Sequence, residues 1–191
     1  MKLTFHTAGS GFSRAAICLL LGVCVVVVAG CETQSATDDE VTTIAAPHIV
    51  ANSAVEAGRY LAIVGQCNDC HTDRYLETDG QIPEEDWFAG TNLGWRGPWG
   101  TTYPANLRLR VQELTEDEWV NTLHTRTALP PMPWMNVNQI SDQDARALYQ
   151  YLRSLGPAGS HSPVAVPPDQ EPTTPYLSLV PQNVEVAQSA E

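Results

Sequence analysis

The chain has 191 residues, enough for one modest domain with appended segments. It is strongly acidic, with 22 Asp and Glu against 10 Lys and Arg. This charge argues against nucleic acid and anionic membrane surfaces as electrostatic partners, and it favours a positively charged protein partner. An acidic surface that only keeps the protein soluble would explain the charge equally well.

The N-terminus resembles a bacterial export signal. An uninterrupted apolar run over residues 15–29 follows two basic residues, and it is shorter than the roughly 18 to 20 residues that a spanning helix needs. Val28-Ala29-Gly30-Cys31 then resembles a lipobox, in which small residues precede a cysteine that receives lipid and becomes the new N-terminus. We therefore predict a lipoprotein-type signal peptide over residues 1–30 and a lipid anchor on Cys31. The alternative is an uncleaved signal anchor, and both interpretations place the remaining chain in the cell envelope, on the periplasmic side of a membrane.

Two further segments flank the expected domain. Residues 31–53 are polar and acidic without a helical or strand period, which predicts a flexible tether. Seven of the fourteen prolines lie from Pro157 onward, which predicts an extended tail over residues 157–191. Loss of residues 1–30 removes one Lys, one Arg and no acid, so eight Arg face 22 acids and the formal charge becomes −14. The folded domain is expected over residues 54–156.

Three helix starts in this domain have the capping-box pattern, in which a Ser or Thr caps the first turn and an acid follows three residues later. They are Ser53 with Glu56, Thr115 with Glu118, and Ser141 with Asp144. The second helix would carry Trp119, Val120 and Leu123, and the third would carry Leu148, Tyr151, Leu152 and Leu155 before Gly156-Pro157 ends it. Residues 72–114 are rich in Gly, Pro and Trp and are predicted to be irregular, without a sheet. The expected fold is all-α, with three to five helices and long loops.

The most specific motif, Cys67-Asn68-Asp69-Cys70-His71, follows the first predicted helix. Two thiols at this spacing match the two vinyl groups on one edge of a porphyrin, and the imidazole after them reaches the iron. A zinc site needs four ligands, and the chain has no second Cys/His pair with this spacing. A thioredoxin-like dithiol would need alternating strands and helices. The motif therefore predicts one covalently attached haem c, held by Cys67 and Cys70 with His71 as an axial ligand, and a haem core would explain the long loop.

The second axial ligand is predicted to be Met132. Prolines on both sides fix the backbone around it, so little ordering entropy opposes ligation. Met135 lacks this frame, and His124 lies within the second predicted helix as a surface histidine; an open or water-bound iron is the remaining alternative. Ligation by His and Met raises the reduction potential and leaves no coordination position free. Such a site is typical of an electron carrier rather than an enzyme.

Together these features resemble a class I c-type cytochrome, and more narrowly a single cytochrome module of the membrane-bound cytochrome subunits of bacterial alcohol and sugar-acid dehydrogenases. The residues that carry the resemblance are Gly58-Arg59-Tyr60-Leu61, Gly100-Thr101-Thr102-Tyr103-Pro104-Ala105-Asn106, Met132-Pro133-Trp134 and the last helix around residues 147–155. The resemblance covers residues 54–156. It implies a small cytochrome c fold in which the first and last helices cross at Gly58 against Tyr151, with Tyr103, Asn106 and Trp134 in the haem pocket.

The chain departs from this family in two respects. Asn106 is usually followed by Ile-Thr-Pro, whereas here it leads into Leu107-Arg108-Leu109-Arg110, which suggests an arginine on a haem propionate. The arginine candidates are Arg96, Arg108, Arg110 and Arg126. The family subunits also commonly carry three modules, and this chain has one. Most of the five tryptophans, Trp87, Trp95, Trp99, Trp119 and Trp134, are expected to pack around the porphyrin.

The sequence therefore predicts a membrane-tethered monohaem cytochrome that transfers single electrons between an exported dehydrogenase and a respiratory acceptor. Two alternatives remain. With an open axial position the haem would react with a gas or peroxide, and with no redox partner it would be a structural or sensory group. A carbon monoxide difference spectrum separates the first alternative from an electron carrier.

Overall fold

The computed structural model describes residues 46–182. The predicted signal peptide, Cys31 and the tether up to residue 45 lie outside the described residues, as does the chain from residue 183 onward. Within the described range, no helix is long and apolar enough to cross a membrane.

Helices make up most of the regular structure in the described region. They are α1 (Ala54–Val64), α2 (Cys67–His71), α3 (Leu107–Glu113), α4 (Glu116–Thr125), α5 (Trp134–Val137) and α6 (Asp142–Ser154). Two short 3-10 turns, Leu76–Thr78 and Glu84–Asp86, lie in the long loop after α2. The three helices predicted from capping boxes are confirmed as α1, α4 and α6, whereas α2, α3 and α5 were not predicted.

Side-chain caps start the three predicted helices. The box before α4 is complete: the Thr115 hydroxyl accepts from the Glu118 amide at 3.3 Å, and the Glu118 carboxylate accepts from the Thr115 amide at 2.8 Å. The serines before α1 and α6 each accept the corresponding backbone bond at 3.2 Å. The carboxylate of Asp144, the acid of the third box, accepts from the Ile49 amide at 2.8 Å instead. The chain just before α1 is therefore bonded to the first turn of α6.

Helices α1 and α6 pack against each other at Gly58. A Cβ atom there would overlap the Ala147 carbonyl and would lie 2.7 Å from the Cβ of Tyr151, so this approach requires glycine. The contact between Gly58 and Tyr151 that the family resemblance implies is thus present. Tyr151 is 1% exposed, and its ring lies edge-to-face against Phe88, with ring centroids 6.1 Å apart. The long loop therefore contributes Phe88, and also Trp87, to the core between the helices.

The prediction that residues 72–114 contain no sheet is wrong. β1 (Gly94–Gly97) and β2 (Gly100–Thr102) form an antiparallel hairpin, and β3 (Tyr176–Ser178) pairs in parallel with β1, so the strand order is β2-β1-β3. Each strand is only three or four residues long and the hairpin is rich in glycine, so no period of two is readable from the sequence. The described fold is therefore mainly helical with a small sheet, rather than purely all-α.

Candidate functional site

The C-x-x-C-H motif forms a helix of its own, α2. Gln66 adopts the left-handed conformation, with φ of 57°, and so turns the chain between α1 and α2. Cys67 and Cys70 are both free thiols and partly buried. Residues three apart on a helix lie on one face, so α2 presents the two thiols side by side, one turn apart.

The imidazole of His71 is oriented by a hydrogen bond to the backbone. Its Nδ1 atom lies 2.7 Å from the carbonyl oxygen of Ala105. Because a carbonyl only accepts hydrogen bonds, Nδ1 carries the proton and Nε2 keeps its lone pair. Burial lowers the pKa of His71, although the bond to Ala105 acts in the opposite direction, so the neutral ring is favoured. His71 therefore presents an oriented, neutral imidazole whose Nε2 lone pair is available.

The two thiols do not have the character of an activated redox pair. Burial raises the pKa of Cys67 to about 11, and the negative charge of Asp69 adds to this effect. Burial and Asp69 raise the pKa of Cys70 as well. Redox-active C-x-x-C pairs have lowered thiol pKa values, so this environment is the opposite of theirs. In residues 46–182, moreover, no three His, Cys, Asp or Glu side chains are arranged to hold a metal ion.

Met132 lies in the loop between α4 and α5 and is partly buried. The hydroxyl of Thr102 donates to the carbonyl of Pro130 at 2.6 Å and so fastens this loop to β2. The competing candidates differ from Met132 in their surroundings. Met135 is 72% exposed, and the Nε2 atom of His124 lies 2.9 Å from the carbonyl of Ile140.

Two pocket residues implied by the resemblance contact the C-terminal segment. The hydroxyl of Tyr103 lies 2.7 Å from that of Thr174. Asn106 is 2% exposed: its Oδ1 atom accepts from the Leu109 amide at 3.0 Å and caps α3, while its Nδ2 atom donates to the carbonyl of Ala158 at 2.7 Å. All the polar side-chain atoms of Asn106 thus bind protein groups, and its contact with a porphyrin stays a prediction.

The four arginine candidates have different surroundings. Arg108 is 6% exposed and donates to the carbonyl of Gly156 at 2.6 Å, and also to the carbonyls of Glu85 and Leu155. Its guanidinium group therefore caps the C-terminus of α6, where a positive charge is stabilising. Arg96 binds the C-terminal segment, Arg110 pairs with Glu113 at 2.9 Å, and Arg126 stacks on the Trp134 ring at 5.2 Å. Sequence spacing gave no signal for the role of Arg108.

The tryptophans fall into two groups. The indole N–H of Trp87 donates to the carbonyl of Ile82 at 2.8 Å, and that of Trp119 donates to the carbonyl of Ala145 at 3.0 Å. The other three indole nitrogens are buried and find no acceptor in the described part of the chain; they belong to Trp95, Trp99 and Trp134. Buried donors are normally satisfied by protein or ordered water, and the described residues supply no acceptor for these three.

Comparisons with protein-family models, with curated proteins and with solved structures find no match for this chain. The function is therefore argued from the residues and the geometry of the site.

Proposed function

We propose that this protein is an exported, membrane-tethered monohaem c-type cytochrome that carries single electrons between an exported dehydrogenase and a respiratory acceptor. The observation that carries the proposal is the single turn of α2, which presents two thiols on one face and ends at an imidazole held by the Ala105 carbonyl at 2.7 Å. When bound, the haem supplies one-electron exchange between ferric and ferrous iron.

The residues around α2 fit a covalently attached haem. Cys67 and Cys70 would hold the haem through two thioethers, for which addition of each S–H group across a vinyl double bond needs no oxidant or reductant. His71 offers Nε2 as one axial ligand, and Met132 offers its thioether sulfur as the other. The buried indole N–H of Trp134, two residues after Met132, would suit a carboxylate of the porphyrin, because a buried carboxylate needs donors.

An electron carrier is favoured over a haem enzyme by the loop that carries Met132. Two flanking prolines and the bond from Thr102 to Pro130 hold the loop, so the thioether is poised as a permanent ligand. With both axial positions taken by the protein, no coordination site remains for peroxide or a gas. The formal charge of −14 after residue 30 suits diffusional encounter with a basic redox protein.

Covalent attachment gives the first test of the proposal. After extraction of the purified protein with acidified acetone, the haem should stay on the polypeptide, with one haem per chain by pyridine haemochrome assay and mass spectrometry. The matched variant Cys67→Ala with Cys70→Ala should release any haem into the acetone. Release of haem from the unaltered protein, or a preparation that contains zinc instead, would refute the cytochrome proposal.

The proposed tether gives a second test. Replacing Cys31 with serine should release soluble cytochrome from the membrane, because the only proposed attachment is the lipid on this cysteine. About twenty flexible residues have a root-mean-square reach of roughly 25 Å, enough for a partner docked on the same membrane. Mass spectrometry of the mature protein should find a diacylated Cys31, and Cys24→Ser, within the signal peptide, should leave attachment unchanged. A soluble mature protein that begins at another residue would remove the membrane from this proposal and leave the haem in it.

A further inference from the structure

The C-terminal segment from residue 158 to 178, here called the strap, is bonded along the hairpin and the loop that follows it. At its start, Asn106 donates to the carbonyls of Ala158 and Ser160 (2.7 and 3.1 Å), and Ser162 donates to the Pro104 carbonyl (2.6 Å). In its middle, the backbones of Val166 and Thr101 bond in both directions (2.8 Å each), and Arg96 binds the Gln170 carbonyl (2.9 Å) and the Glu171 carboxylate (3.1 Å). Near its end, the hydroxyl of Thr174 lies 2.7 Å from that of Tyr103, and β3 pairs with β1. Apart from the β3 pairing and Arg96, all of these bonds reach residues 101–106.

The same residues support both proposed axial ligands from their other side. The Ala105 carbonyl receives the Nδ1 proton of His71, and Thr102 holds the Pro130 carbonyl, two residues before Met132. The backbone of Thr101 pairs with Val166 of the strap, while the side chain of the next residue, Thr102, holds the Pro130 carbonyl. Residues 101–105 therefore contact both the strap and the two segments that carry the proposed ligands.

Glycines allow the strap to lie this close to the loop. Gly100 has φ of +102°, and a Cβ atom there would overlap the carbonyl of Val166. A Cβ atom on Gly90 would lie 2.5 Å from the hydroxyl oxygen of Ser162 and 2.9 Å from the Asn106 nitrogen. Side chains at these two positions would therefore push the strap away from the hairpin and from the loop that carries Asn106.

We infer that the strap is a positioning element for haem ligation: it fixes residues 101–105, and through them the imidazole of His71 and the loop of Met132. The inference rests on the proposed function. Short irregular segments open locally at low free energy unless they are bonded on several sides. Without the strap's contacts, Met132 is expected to leave the iron more often and to admit added ligands.

The test uses the holoprotein with Ser162→Ala, Glu171→Met and Thr174→Val combined, three substitutions in the strap that remove its side-chain bonds to Pro104, Arg96 and Tyr103. We expect the amides of Thr101 and Val166 to exchange with solvent roughly ten-fold faster or more. The weak sulfur-to-iron band of the oxidised protein should diminish, and carbon monoxide should bind to the reduced protein faster than in the wild type. Helix content by circular dichroism should be unchanged.

The control is His161→Ala with Val164→Ala, also in the strap. His161 pairs with Glu113, outside residues 101–105, and Val164 is 87% exposed, so this variant should behave like the wild type. Should the triple variant not fold, Gly100→Ala displaces the strap backbone and is expected to give the same readouts.

Several outcomes would overturn the inference. Faster amide exchange with an unchanged band and unchanged carbon monoxide binding would show that the strap does not position the ligands. Amides that stay as protected as in the wild type in both test variants would show that these contacts do not hold the loop. If the wild type carries covalent haem and shows the sulfur-to-iron band, either of these results would overturn only the role of the strap. Absence of haem from the wild type would instead refute the proposed function.

Discussion

Replacing Arg108 with methionine is expected to lower the free energy of unfolding by about 3 to 5 kcal/mol. The guanidinium group is buried and donates to three carbonyls, those of Glu85, Leu155 and Gly156. Methionine is a flexible side chain that fills similar space without donating hydrogen bonds, so the carbonyls would remain buried without a partner. Denaturant unfolding of the purified protein, followed by circular dichroism, measures the change.

Arg110, two residues further along α3, provides the matched control. It forms an exposed ion pair with Glu113 at 2.9 Å, and exposed pairs of this kind contribute little to stability. Arg110→Met should therefore change the unfolding free energy by no more than about 0.5 kcal/mol. Arg108→Lys should recover only part of the loss, because an ammonium group cannot reproduce the planar fork of donors. Equal stabilities of Arg108→Met and the wild type would show that Arg108 does not hold the C-terminus of α6.

Local signals in the sequence predicted the parts of the fold that depend on neighbouring residues. A capping residue and its acid are three positions apart, so the starts of α1, α4 and α6 could be read directly from Ser53, Thr115 and Ser141. The spacing of C-x-x-C-H likewise identified two thiols next to a histidine, although the helix α2 that carries them was not predicted. In both cases the physical interaction lies within a single helical turn.

The features that escaped prediction depend on residues far apart in the chain. Arg108 was considered for a propionate because a guanidinium group pairs well with carboxylates. Its carbonyl partners, at residues 85, 155 and 156, come together only in the folded protein. The third strand was missed because it pairs with β1 from near the C-terminus, whereas the hairpin was missed because its strands are only three or four residues long. The hydrogen-bond acceptor of His71 is the backbone carbonyl of Ala105, which every residue type carries, so it could not be predicted from the sequence. Backbone acceptors and long-range pairing leave no local pattern in a single sequence.

The C-terminal tail is a further region whose contacts could not be predicted from the sequence. Its seven prolines indicated extended chain, and composition alone went no further. The structure bonds residues 158–178 to the loop through Asn106, Tyr103 and Arg96. Two of these, Tyr103 and Asn106, were selected by family resemblance as pocket residues, and their described partners are Thr174 and Ala158. Residues chosen for contact with a cofactor thus also join the domain to a segment that the resemblance does not cover.

Replacing Met132 with alanine is expected to abolish the sulfur-to-iron band of the oxidised protein completely. A methyl side chain offers no ligand atom, so the sixth position would be filled by water or left open. The reduced variant should then bind carbon monoxide, which the wild type should resist. The covalent haem should be retained, because the proposed thioethers belong to Cys67 and Cys70 and do not involve Met132.

Met135→Ala is the matched control, since it removes the same side chain three residues away. Met135 is 72% exposed, so this variant should keep the band and should still resist carbon monoxide. Loss of the band in Met135→Ala with retention in Met132→Ala would transfer the ligand role to Met135. A wild-type protein that lacks the band and binds carbon monoxide would instead favour an open iron. The proposed electron carrier would then have to be replaced by a haem protein that reacts with gases or peroxide, because a free axial position is where such molecules bind.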